Sequence, residues 1–161
     1  MWIIQSNYSS DHFYQDLEKE LCSLIEGERN LYANLANISS WVYHTIPDMN
    51  WCGFYLWSET DKELILGPFQ GKPACIRIKP ERGVCGSAYS TSKTQLVEDV
   101  HLFPGHISCD SVSRSELVIP LIKNNTVLGV LDLDSPHVSR FKKRDAENLE
   151  KIFNKISEII F

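Results

Sequence analysis

The chain has 161 residues, of which 43% are hydrophobic and 23% charged, with a formal net charge of −5 at pH 7. That length suits one compact domain spanning 1–161, burying roughly two-thirds of its unfolded surface, and is cramped for two. The acidic balance argues against a nucleic-acid backbone as partner, which selects a basic footprint. The short FKKRD run reads as a solvated helix start.

No stretch approaches 18 consecutive apolar residues, and the N-terminus lacks a basic run followed by an apolar core. Neither a membrane span nor a signal peptide is expected, and a cytoplasmic location follows by default. In that reducing setting five cysteines, an odd number, fit thiol or metal chemistry better than a disulfide framework.

From about Ser10 to Ile25 the apolar positions Phe13, Leu17, Leu21 and Leu24 keep a helical period, with Ser9 or Ser10 as caps. Gly27 punctuates. A second helix runs from about Glu28 to Ile46, with Leu31, Leu35, Ile38 and Val42 on one side and Pro47 as its stop. Strand texture then takes over, with Trp51 to Trp57 and Leu64 to Gly67 paired across the SETDKE turn, followed by Ala74 to Ile78.

Gly83 to Ser92 reads as a short helix entered through glycine, followed by an extended stretch from Gln95 to Glu98. The segment from about Asp99 to Arg114 carries neither period and exceeds an ordinary connection, which marks it as a functional loop. Glu116 to Ile122 and Val127 to Leu133 form the clearest hairpin, turned by Lys123, Asn124 and Asn125. A last helix from about Lys142 to Ile160 buries Leu149, Ile152, Phe153, Ile156 and Ile160. The fold class is α+β, a central, mainly antiparallel sheet of about six strands flanked by helices.

Three cysteines draw attention: Cys75, Cys85 and Cys109, at intervals of 10 and 24 residues. Cys85, in GVCG, sits in the first turn of a helix, where free amides and the positive helix end favour a thiolate, the alternative being a small buried structural cysteine. Cys75, at the entry of a short strand, is also compatible with a core position. Cys109 lies in the polar loop between His106 and Asp110 with little apolar company, so it can react and, once oxidised, condense with another thiol, the alternative being a loop that folds over the sheet and tucks it away. Cys22 and Cys52 read as structural. A zinc site from His101, His106, Cys109 and Cys85 lacks any ligand motif of established spacing.

Asp132 and Asp134 alternate with Leu131 and Leu133, so the carboxylates share one sheet face and the leucines the other. The hairpin brings Glu116 towards the acidic face. Such a recess suits an ammonium group, the alternative being a solvated surface. Trp51 and Tyr55, four apart with Gly53 between them providing space on the same face, either wall a small apolar group or fill the core.

Together NWCGFYL (50–56), LGPFQGKPACIRI (66–78), GVCG (83–86), HISCD (106–110), SELVIPL (115–121) and VLGVLDLDSP (127–136) resemble the free methionine-R-sulfoxide reductases, stand-alone GAF-domain enzymes. The resemblance implies a GAF-like fold and reduction of free L-methionine (R)-sulfoxide through a cysteine sulfenic acid and then a disulfide. It implies Cys109 as the attacking thiolate with Cys85 or Cys75 resolving, although some members assign attack to the cysteine matching Cys85. Glu116, Asp132 and Asp134 match the carboxylates that receive the substrate amino group, and Trp51 and Tyr55 the aromatics near its methyl. Thioredoxin as reductant, a homodimer and no bound cofactor or metal are further implications. Cys52 stands where alanine is frequent and adds a spare thiol. The rival reading is a non-catalytic, small-ligand-binding GAF sensory module.

Overall fold

The computed structural model describes residues 4, 6–105 and 110–161. The elements, in chain order, are α1 (Phe13–Leu24), α2 (Leu31–Thr45), β1 (Trp51–Ser58), β2 (Glu63–Gly71), β3 (Arg77–Ile78), α3 (Gly83–Thr91), β4 (Gln95–Val97), a 3-10 turn (Val100–Leu102), β5 (Ser115–Lys123), β6 (Thr126–Ser135) and α4 (Lys143–Ile160). Six strands form one antiparallel sheet in the order β3-β2-β1-β6-β5-β4.

Each face of this sheet has its own apolar cluster. The inward leucines Leu117, Leu121, Leu131 and Leu133 meet Phe13, Leu17, Leu21, Leu35, Ile38, Leu149 and Phe153 from α1, α2 and α4. On the opposite face α3 lies over β5 and β6. There Val84, Cys85 and Ala88 pack with Trp51, Tyr55, Val118 and Val130. Period-2 alternation along β6 therefore sends leucine into the main core and aspartate to the α3 side.

Several boundaries differ from the sequence expectation for local reasons. Ser9 and Ser10 do not cap α1. The flanking residue is His12, and the Ser10 hydroxyl accepts from its amide before the helix begins. Asn30 does cap α2, accepting from the Ala33 amide at 3.0 Å.

Strand β2 runs on to Gly71 because its far half still pairs with β1. A bulge between Gly53 and Tyr55 accommodates the extra residues around Pro68, which has no amide to donate. The strand expected over Ala74 to Ile78 shrinks to Arg77–Ile78. The last hairpin turns on two residues, since Lys123 pairs with Thr126. Asn124 and Asn125 take φ of 50° and 60°, as such a turn requires.

Candidate active site

The pocket lies between α3 and the β1–β6–β5 part of the sheet. About 540 Å³ of non-atom space lies in and before it, open solvent included. Trp51, Tyr55, Cys85, Glu116, Asp132 and Asp134 all line it. Six of the eight expected site residues are thus brought together. Cys75 adjoins them through Ala74, which also lines the pocket. Cys109 and His106 lie outside the described residues.

Two glycines of GVCG set the α3 end of the site. Gly83 has φ of 61°, so the entry into the helix uses the left-handed region. A Cβ on Gly86 would stand 2.4 Å from the Lys79 carbonyl oxygen. The helix can approach the preceding turn only because that atom is missing.

Strand register sets the carboxylates. Glu116 pairs with Asp134 and Val118 with Asp132, while Gly53 faces Asp132 across β1. Glu116 and Asp132 are each only 6% exposed, so they do not form an ordinary solvated face. Ligand atoms of Cys85, Glu116 and Asp132 lie within 4.8 Å of one another, close enough for a cation to bridge them. Oδ1 of Asp132 is buried without a hydrogen-bond partner.

Burial first, and then the neighbouring Asp132 and Asp134 charges, push the Glu116 carboxyl well above its ordinary range. Burial raises Asp132 to about 7, although hydrogen bonds with Cys85 and Glu116 favour its ionised form. Asp134 is raised by burial and then by Asp132, with a hydrogen bond to Ser113 opposing the shift. Three adjacent carboxylates in a recess cannot all ionise unless a cation joins them.

The same environment reverses the expectation for Cys85. The helix start was expected to favour a thiolate, but burial and the charges of Asp132 and Glu116 hold its thiol well above the usual range. Its Sγ lies 4.0 Å from Glu116 Oε1. A neutral thiol donating to a carboxylate fits this position better than an anion.

Cys75 is engaged in a disulfide. Cys22, Cys52 and Cys85 are free thiols. Cys52 is no spare thiol for the pocket: it is fully buried on the opposite sheet face, among the leucines of the main core. His101 faces Asp99 at 3.6 Å and does not line the pocket.

Trp51 and Tyr55 stack with ring centroids 5.9 Å apart and wall the pocket while also belonging to the core. The space at Gly53 serves protein packing: a Cβ there would stand 2.3 Å from the Phe69 Cβ and 2.6 Å from the Trp51 indole. Asp110 and Ser113, not singled out from sequence, also line the pocket. Asp110 directly follows Cys109, which was the available signal, whereas nothing local distinguishes Ser113.

The GAF-domain family model matches residues 34–160. The chain is 45% identical to free methionine-R-sulfoxide reductase of Escherichia coli, an alignment covering 92% of this chain and 88% of that protein. The chain belongs to the free methionine-R-sulfoxide reductase family of GAF domains.

Protein YtsP of Bacillus subtilis, a further relative of this GAF protein, is 50% identical over 86% of this chain and 89% of its own. The X-ray structure of free methionine-R-sulfoxide reductase from Neisseria meningitidis in complex with its substrate superposes with a TM-score of 0.92 at 39% identity. It covers 99% of this chain and 95% of that one. The α+β sheet expected from sequence is thus a GAF fold. Among the described residues no helix is long and apolar enough to cross a membrane.

Proposed function

We propose that this GAF domain reduces free L-methionine (R)-sulfoxide to L-methionine by cysteine chemistry. The observation that carries the reading is the buried trio Glu116, Asp132 and Asp134, with an unpartnered Asp132 oxygen, facing the same pocket as the stacked Trp51 and Tyr55. The free sulfoxide brings an ammonium group that lets part of this trio ionise, while its methyl group lies against the aromatic wall. A peptide-bound methionine sulfoxide has no such charge.

Cys109 attacks the sulfoxide sulfur as a thiolate. The oxygen passes to the cysteine, methionine leaves, and Cys109 becomes a sulfenic acid. One of the carboxyl groups supplies the proton to the sulfoxide oxygen, a role suited to an acid held protonated near neutrality. Cys75 then displaces water from the sulfenic acid to form a disulfide, and a dithiol such as thioredoxin restores both thiols by exchange.

Cys75 as the resolving thiol is supported by its disulfide and by the free, neutral state of Cys85. The chemistry calls for no bound metal or organic cofactor. We take residues 1–161 as one catalytic domain, a homodimer of the cytoplasm, where the reducing poise keeps the thiols available.

Fully reduced protein given racemic free methionine sulfoxide and a dithiol reductant should release methionine and stop near half consumption. N-acetylated methionine sulfoxide should not react. Tight binding of the free sulfoxide without turnover would instead favour a sensory module.

A further inference from the structure

Segment 72–75, which carries Cys75, lies outside the strands yet is fastened at several points. Trp51 Nε1 donates to the Lys72 carbonyl at 3.0 Å. The Tyr55 hydroxyl donates to the Cys75 carbonyl, also at 3.0 Å. The Lys72 ammonium pairs with the pocket-lining Asp110, at 3.3 Å from Oδ2.

Asp110 is itself held in place. It accepts from the Val112 amide at 3.0 Å and from Asn50 Nδ2 at 3.3 Å. Asn50 Nδ2 also donates to Ser113 Oγ at 2.9 Å, and Ser113 hydrogen-bonds to Asp134. The ion pair therefore ties the segment bearing Cys75 to the residue that follows Cys109, and a polar chain continues from there to the acidic recess.

We infer that Lys72 and Asp110 are positioning residues for the disulfide-forming step, an inference that rests on the function proposed above. In that step the Cys75 sulfur attacks the Cys109 sulfenic sulfur, the S–S bond forms, the S–O bond breaks, and the oxygen leaves as water with one proton from each partner. The thiols belong to segments 34 residues apart in sequence. An ionic tie between those segments raises the effective concentration of one sulfur at the other. Asp110 is the prearranged half, its side chain only 14% exposed, whereas the Lys72 side chain is 67% exposed and reaches to it through solvent.

Single-turnover reactions of reduced protein separate the two steps, with methionine release followed by chromatography and the sulfenic acid trapped with a 1,3-dione and mass-mapped. Lys72→Met should release methionine at the wild-type rate but close the disulfide about three- to fivefold more slowly, the scale of an exposed ion pair. Lys72→Arg should restore closure. The double variant Lys72→Met/Asp110→Asn should close no more slowly than the slower single variant. High salt should slow wild-type closure towards the Lys72→Met rate and leave that variant unchanged.

Closure at the wild-type rate in Lys72→Met, or a parallel fall in methionine release, overturns the inference. A wild-type protein that releases no methionine overturns the underlying function instead, and the inference with it.

Discussion

The Cys85 sulfur stands 4.0 Å from Oε1 of Glu116, inside a recess where Asp132 and Asp134 also converge. A thiolate there would add a fourth negative charge to three carboxyl groups that already resist ionisation. On the function proposed above, the recess stays largely protonated until a cationic ligand arrives, with Cys85 as a neutral donor on its wall.

The first consequence concerns stability. Asp132 titrates at about 7 when folded, against an ordinary value near 3.9 in the unfolded chain. The folded state then binds more protons, so the contribution of the neutral group is fully present below about pH 4 and is lost as pH rises through about 7. Asp132→Asn should remove that dependence. In denaturant titrations of ligand-free protein, the variant should gain on wild type by up to about 1.4 kcal/mol per pH unit between pH 4 and 7. A constant difference across that range would mean that Asp132 is already ionised.

The same linkage governs binding. An ammonium group favours ionised carboxylates, so free methionine sulfoxide should bind more tightly as pH rises towards 7, releasing protons as it binds. Calorimetry in two buffers of different ionisation enthalpy, on protein held oxidised to prevent turnover, measures that release. Asp132→Asn should reduce both the protons released and the affinity, the latter by at least tenfold, about 1.4 kcal/mol. Equal binding of the N-acetylated compound would remove the acidic trio from recognition.

How far the site could be read in the chain depends on which interactions are local. Asp132 and Asp134 were assignable to one face because a strand repeats every two residues, and Glu116 followed once the hairpin register was fixed. The state of Cys85 was not assignable: its position in a first helical turn suggested a thiolate, and only tertiary contact supplies the burial and the opposing carboxylates.

Ala74 and Cys75 were expected to open a strand running to Ile78, but the Cys75 carbonyl accepts from the Tyr55 hydroxyl rather than from a ladder, and pairing begins only at Arg77. Gly53 suggested room for ligand, whereas Phe69 from the neighbouring strand and the Trp51 indole occupy that room.

Single variants separate the proposed roles of the cysteines. Cys109→Ser should abolish methionine release. Cys75→Ser should release one methionine per chain and then stall as a trappable sulfenic acid with small-dithiol reductant withheld. Cys85→Ser keeps a hydroxyl that can donate to Glu116 and should retain turnover, slowed by less than tenfold, because a thiol held protonated is a poor nucleophile. Loss of the first methionine in Cys85→Ser, with release preserved in Cys109→Ser, would transfer the attack to Cys85.

The approach of α3 to the rest of the site depends on a missing methyl group. Gly86→Ala would put a Cβ 2.4 Å from the Lys79 carbonyl oxygen and 3.2 Å from the Glu81 amide nitrogen, both backbone atoms that cannot rotate away. Helix propensity alone favours alanine by about 1 kcal/mol, so an increase in stability is the outcome if the contact relaxes freely. Overpacking against fixed backbone costs about 1–3 kcal/mol, and the contact is short enough for that cost to prevail. The variant should therefore unfold at lower denaturant. Its KM should rise as well, because Val84 and Cys85, which line the pocket with Glu116, shift with α3.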